Sequence, residues 1–142
     1  MSAQAATAAG ASVPAVVLGG TGYVAGELLR LIACHPQLTL AGVISESSPG
    51  ESVASAFPHL VSAYPETRFG TLAQVMRPLA EAPILAVFSA APHGVSAGLI
   101  DAVLAAAARA GSRARVVDIS ADFRYASNEA YAAVYGHAHG AA

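Results

Sequence analysis

The chain has no lysine and no tryptophan among its 142 residues, and all seven of its basic residues are arginine. Without lysine there is no P-loop lysine to grip a phosphate, no Schiff-base lysine and no Tyr-x-x-x-Lys pair of the short-chain dehydrogenase kind. A single cysteine, Cys34, excludes an intramolecular disulfide and a metal site built from several thiolates. Charge is scarce as well. Only 11% of residues are charged and the formal net charge is −2, so nothing prepares the surface for nucleic acid or an anionic membrane. No apolar run reaches the roughly 20 residues that span a bilayer. The opening stretch, residues 1–14, is rich in Ala, Ser and Thr but lacks the basic residues of a signal peptide, which predicts a flexible leader and a cytoplasmic protein. Apolar residues, by contrast, make up 55% of the chain and the mean hydropathy is +0.54, enough for one domain around one core.

The apolar residues are ordered. Val16-Val17-Leu18 stops at Gly19-Gly20-Thr21-Gly22, and an amphipathic run, Tyr23 to Leu31, starts at once. This is a strand, a tight turn and a helix. Glycine serves where the backbone takes positive φ and where a phosphate approaches the main chain with no Cβ in the way. The first-turn N–H groups of the helix then face that phosphate, backed by the helix dipole. The turn fits G-x-x-G-x-x-A through Gly19, Gly22 and Ala25, and equally G-x-G-x-x-A through Gly20, Gly22 and Ala25.

Beyond it the chain alternates. The pattern predicts a strand at 15–18, a helix over 23–35 ended by Pro36, and a strand at 38–45. Residues 46–64 read as a Pro/Gly-punctuated connection. A short strand follows at 67–69, then a helix at 72–79 cut by Pro78 and an apolar strand at 84–89. An Ala-rich helix at 95–110 is closed by Gly111, a strand runs over 115–119, and a last helix at 129–135, capped by Ser127 or Asn128, ends at Gly136. The fold class expected is α/β: a Rossmann-like, doubly wound, mostly parallel sheet with helices on both faces, occupying residues 15–142 as a dinucleotide-binding domain. In such sheets ligands sit at the carboxyl ends of the strands. Those ends carry Gly19–Gly22, then Ser45-Glu46-Ser47-Ser48, then Ser89 to Gly94, then Ser120-Ala121-Asp122-Phe123-Arg124.

These segments resemble one family, N-acetyl-gamma-glutamyl-phosphate reductase of the semialdehyde dehydrogenase type. The matching residues are Gly19-Gly20-Thr21-Gly22-Tyr23 with Glu27 to Leu31, His35-Pro36, Phe57-Pro58-His59-Leu60, Pro92-His93-Gly94-Val95-Ser96, Asp118 to Arg124, and Tyr135-Gly136, in family order. The resemblance implies reduction of an acyl phosphate to a semialdehyde with NADPH, in arginine biosynthesis, or the related reaction of lysine biosynthesis. It also implies a mechanism in which a cysteine thiolate attacks the acyl phosphate, phosphate leaves and hydride reduces the thioester, with a histidine as acid/base. The family's cysteine follows a Pro-Gly pair beyond the Tyr-Gly segment, and its histidine lies further on. Neither position falls within these residues, so the expectation is a cofactor-binding half without catalytic residues, whose partner is the missing catalytic domain, in a family expected to form homo-oligomers. The competing reading is a stand-alone dinucleotide-binding or sensor module.

The expected cofactor contacts are Gly19, Gly20, Thr21, Gly22, Tyr23 and Val24 at the first turn, Ser45, Glu46 and Ser47 after the second strand, and Ala91, Pro92 and His93 on the nicotinamide side. Tyr23 either packs or touches the cofactor. His93 is expected to fix its turn by hydrogen bonding, and His59 to cap or span a loop. Arg124 suits a bidentate grip on a substrate anion, or else a salt bridge to Asp118 or Asp122. Cys34 falls near the end of the first helix, away from the strand ends, and is read as a small buried or half-buried side chain, not a nucleophile. His137 and His139 form an H-x-H pair without a third ligand, so no metal is expected. Glu46 departs from the family, which often carries Arg or another non-acidic residue there. A carboxylate at this strand end accepts from a free ribose 2′-hydroxyl and repels a 2′-phosphate. The cofactor is therefore NADP by resemblance and NAD by charge.

Overall fold

The computed structural model describes residues 12–77 and 82–141. Most of the expected leader, and the end of the expected helix at Leu79, lie outside them. In chain order the elements are β1 (Val13–Leu18), α1 (Tyr23–Ala33), β2 (Leu38–Ile44), α2 (Val53–Ala56), a 3-10 turn (Pro58–Leu60), β3 (Phe69–Gly70), α3 (Leu72–Met76), β4 (Ile84–Ser89), α4 (Ser96–Arg109), β5 (Arg113–Asp118) and α5 (Asn128–Tyr135).

The five strands form one sheet in the order β3-β2-β1-β4-β5, and every pairing between them is parallel. β1 is central because it is apolar on both faces. Ala15 and Val17 join a cluster with Leu29 and Ile32 of α1 and with Phe57, Leu60 and Tyr64. Val16 and Leu18 join the opposite cluster with Val75 and Met76 of α3 and Ile100 and Val103 of α4. All four β1 residues are fully buried. At about 1.5–3 kcal/mol per buried Val or Leu side chain, this strand is a large part of what holds the two layers together. Helices therefore cover both faces, the doubly wound arrangement.

Some boundaries differ from the sequence pattern. β1 starts at Val13, inside the expected leader, because Val13 N–H bonds to the Gln37 carbonyl and aligns the strand with β2. α1 ends at Ala33, not at residue 35. Its last turn tightens into i→i−3 bonds, Cys34 to Leu31 and His35 to Ile32, ahead of Pro36. The connection 46–64 contains α2 and the 3-10 turn. Its buried residues Val53, Phe57, Leu60 and Tyr64 recur at helical spacing, and Pro58 breaks the run into two short pieces. The chain winds from β1 out to β3, then returns to β4 on the other side of β1. The order switches between β1 and β4, which puts the ligand crevice above Leu18 and Ser89.

Candidate functional site

Two cavities open above that switch point and meet at Ala90, Ala91 and Pro92. The first, of about 350 Å³, lies on the β2 side and is lined by Gly19, Thr21, Gly22, Ser45, Glu46 and Ser47, with Ala90–Pro92, Val95 and Leu99 opposite. The second, of about 320 Å³, lies on the β5 side between Val24, His93, Ser120, Ala121 and Arg124. An elongated ligand lying across Ala90–Pro92 would reach both, with the glycine turn along the first.

The glycines of that turn do different work. Gly19 has φ +75°, and a Cβ there would stand 2.5 Å from the backbone of Ala91. It is a folding requirement, since β1 and the β4 loop touch main chain to main chain. A Cβ on Gly20 would meet Val43 at 2.4 Å, and its N–H bonds to the Ile44 carbonyl, so Gly20 packs into the sheet end and lines neither cavity. Nothing lies within 4 Å of where a Gly22 Cβ would stand. Gly22 is exposed, extended (φ −83°, ψ 165°) and serves as N-cap of α1 without a side-chain cap. The first-turn donors of an 11-residue helix are thus left free of any side-chain acceptor, facing the cleft. Ala25, fully buried, seats the helix on the strand.

Of the other expected contacts, Tyr23 is 96% exposed and lines neither cavity of the cleft. It borders a third cavity with Phe57 and His59 instead. Ser45 is buried, its hydroxyl 3.2 Å from that of Ser47. Glu46 is exposed at the rim, and its Oε1 accepts from the Leu72 N–H of α3 at 3.3 Å. That bond holds the carboxylate beside the β2 end. Val95, the N-cap of α4, and Leu99, on its first turn, were not expected at the wall. They sit on the helix that follows the Pro-His-Gly turn, where an i, i+4 pair on one helix face was the available signal.

The β5 side is organised by two carboxylates. Asp118 accepts from the Ser120 N–H (3.0 Å) and hydroxyl (2.8 Å) and from the buried Ser96 hydroxyl (2.9 Å). Ser96 thereby accepts from Ser89 at 2.6 Å. Asp122, 2% exposed, accepts from Gly94 N–H (2.7 Å), Ala97 N–H (2.9 Å) and the Tyr131 hydroxyl (3.0 Å). Burial works to raise its pKa, but these bonds and the nearby His139 outweigh it and hold the carboxyl below its ordinary value. Burial, and then the bond to Asp122, push the Tyr131 phenol up.

Arg124 is exposed at the mouth of the second cavity. Its guanidinium reaches only the Ile119 carbonyl, at 3.4 Å, and the one ion pair among the described residues joins Arg30 to Glu27. The salt bridge to Asp118 or Asp122 considered from the sequence does not form, because both carboxylates are taken by nearer donors. His93 is exposed, with its ring 5.2 Å from that of Tyr135; its turn is fixed by Asp122 through Gly94. His59 lies exposed in the 3-10 turn. His139 Nε2 donates to the Asp122 carbonyl at 2.8 Å. Among the described residues no three His, Cys, Asp or Glu gather as a metal site, and no helix is long and apolar enough to cross a membrane. Cys34 is exposed, not buried or half-buried as expected, because it is the C-cap of α1, where the helix ends.

A family model described as the NAD-binding domain of semialdehyde dehydrogenase matches residues 14–139. The N-acetyl-gamma-glutamyl-phosphate reductase of Ectopseudomonas mendocina (strain ymp) is 42% identical over 125 residues, covering 88% of this chain and 33% of the relative. That of Rhodospirillum rubrum is 39% identical over 131 residues, 89% of this chain and 34% of the relative. The chain thus spans about a third of the length of the curated relatives it matches. Among solved structures, aspartate semialdehyde dehydrogenase with NADP from Candida albicans superposes with a TM-score of 0.54 at 20% identity, over 83% of this chain and 32% of that one. A Rex-family repressor, RSP, superposes at 0.53 and 12% identity, over 78% and 46%. These two likenesses concern the fold.

Proposed function

The chain belongs to the semialdehyde dehydrogenase NAD-binding domain family, and from that premise we propose that it is the cofactor-binding part of an N-acetyl-gamma-glutamyl-phosphate reductase. The whole enzyme would reduce an acyl phosphate to a semialdehyde in arginine biosynthesis, in the cytoplasm. The observation that carries the reading is the open approach to Gly22, which lines the first cavity beside uncapped helix donors. Nothing lies within 4 Å of a Cβ there, so the approach is open to a pyrophosphate. The nicotinamide dinucleotide supplies hydride when bound. The chain's own residues orient it: the first turn of α1 faces the pyrophosphate, Ser45 and Glu46 the adenosine ribose, and the Ala91–His93 loop with Ser120 the nicotinamide end. Arg124, with no carboxylate partner among the described residues, is placed to hold an anionic group of the substrate. Val117, Ile119 and Phe123, 52%, 40% and 51% exposed, leave apolar surface along β5 and its loop suited to packing against further protein. The experiment is direct titration of the chain with NADH and NADPH by calorimetry. Absence of binding to both overturns the proposal.

The choice between the two cofactors rests with Glu46. Its carboxylate, held by Leu72, accepts from a ribose 2′-hydroxyl and repels a 2′-phosphate, so NADH is expected to bind more tightly than NADPH. Glu46→Arg reverses the charge. A charge-assisted contact worth about 1.5–3 kcal/mol predicts a shift of the NADPH/NADH affinity ratio by roughly tenfold or more. An unchanged ratio in the variant would show that Glu46 faces away from the ribose.

A further inference from the structure

Asp122 lines neither cavity of the cleft, yet it joins the two loops that wall the second cavity. Its carboxylate accepts from Gly94 of the β4 loop and Ala97 of α4, while its own residues belong to the β5 loop that carries Ser120, Ala121 and Arg124. α4 needs this bond. Its N-cap is Val95, in helical conformation with no side-chain cap; the Ser96 N–H bonds to the Pro92 carbonyl, which leaves the Ala97 N–H to Asp122. Asp122 supplies from 25 residues away the acceptor that a local Ser or Asp would ordinarily supply. The residue is itself held from three more sides: its N–H donates to Ser120 Oγ at 3.1 Å, Tyr131 donates to Oδ1, and His139 donates to its carbonyl.

We infer that Asp122 is a positioning residue for the nicotinamide half of the dinucleotide, locking the Pro92-His93-Gly94 turn against the Ser120–Arg124 loop. This rests on the dinucleotide reading of the cleft. It leaves the adenosine half alone, because Gly22, the N-cap of α1, and Ser45 and Glu46, just beyond β2, receive nothing from Asp122.

Asp122→Asn is the test. Asn keeps the shape, but its Nδ2 presents hydrogens where an acceptor is required, so Gly94 or Ala97 loses its partner. NADH affinity is expected to fall about tenfold in this variant, while affinity for ADP, which lacks the nicotinamide riboside, stays within about twofold. Tyr131→Phe removes a single donor to the same carboxylate and is expected to weaken NADH about two- to fivefold with ADP again unmoved. It carries the test alone if Asp122→Asn does not fold. Equal losses for NADH and ADP would reveal a general structural role and overturn the inference, as would unchanged NADH affinity in both variants. Failure of the wild-type chain to bind either ligand would instead overturn the dinucleotide reading itself.

Discussion

Gly22→Val is expected to fold as the wild type does and to lose dinucleotide binding. No protein atom lies within 4 Å of the new Cβ position, and the backbone there is extended, where valine is at ease. The stability change expected is therefore small, within about 1 kcal/mol, or a few degrees in Tm. The branched side chain enters the approach to the α1 donors that a pyrophosphate would use. Steric overlap costing about 3 kcal/mol or more weakens NADH by roughly a hundredfold or more. Gly19→Ala is the contrasting control. It places a Cβ at φ +75° and 2.5 Å from the Ala91 backbone, so it is expected to lower Tm sharply. Calorimetric titration with thermal unfolding of both variants checks the pair. Equal NADH binding by Gly22→Val and wild type would place the pyrophosphate elsewhere.

A polypeptide of these 142 residues is expected to show no acyl-phosphate reductase turnover, with either cofactor, and Cys34→Ser is expected to change nothing. Reduction through a thioester needs a thiolate at the nicotinamide with an acid/base beside it. The one thiol, Cys34, caps the carboxyl end of α1, whereas the cleft faces the amino end. At 1.5 Å per residue the 11 residues of that helix separate them by about 16 Å, and no motion short of unfolding α1 brings them together. There is no lysine to substitute. The effect is all or none, because enzymatic acceleration is commonly about a millionfold or more. The measurement is cofactor oxidation and phosphate release with N-acetyl-gamma-glutamyl phosphate. Turnover that disappears in Cys34→Ser would falsify this assignment of Cys34.

The two glycine motifs show where sequence reading stops. Gly19, Gly20 and Gly22 are equivalent letters, and both spacings fit. Their separate roles depend on what approaches each one in space: the Ala91 backbone, the Val43 side chain and, at Gly22, nothing. Likewise Val53, Phe57, Leu60 and Tyr64 keep a helical period, but Pro58 and the surrounding Gly and Ser residues obscured it. Asp122 was visible as part of a strand end. That it caps a helix 25 residues back in the chain was not, because α4 begins without a local capping residue and only the parallel pairing of β4 with β5 brings the acceptor to it.

What the sequence by itself determined was the alternation of strands and helices, the parallel sheet, the helices on both faces, and the position of the glycine turn. These follow from period and turn chemistry, which are properties of neighbours along the chain. Only the tertiary structure decided that Arg124 stands clear of Asp118 and Asp122, that Glu46 is tied to α3, and that Cys34, which the sequence already placed at the far end of its helix, is exposed there. Each of these is a competition among donors and acceptors, or between two ends of one element, that the fold brings together from distant segments, and local pattern carries no record of its outcome.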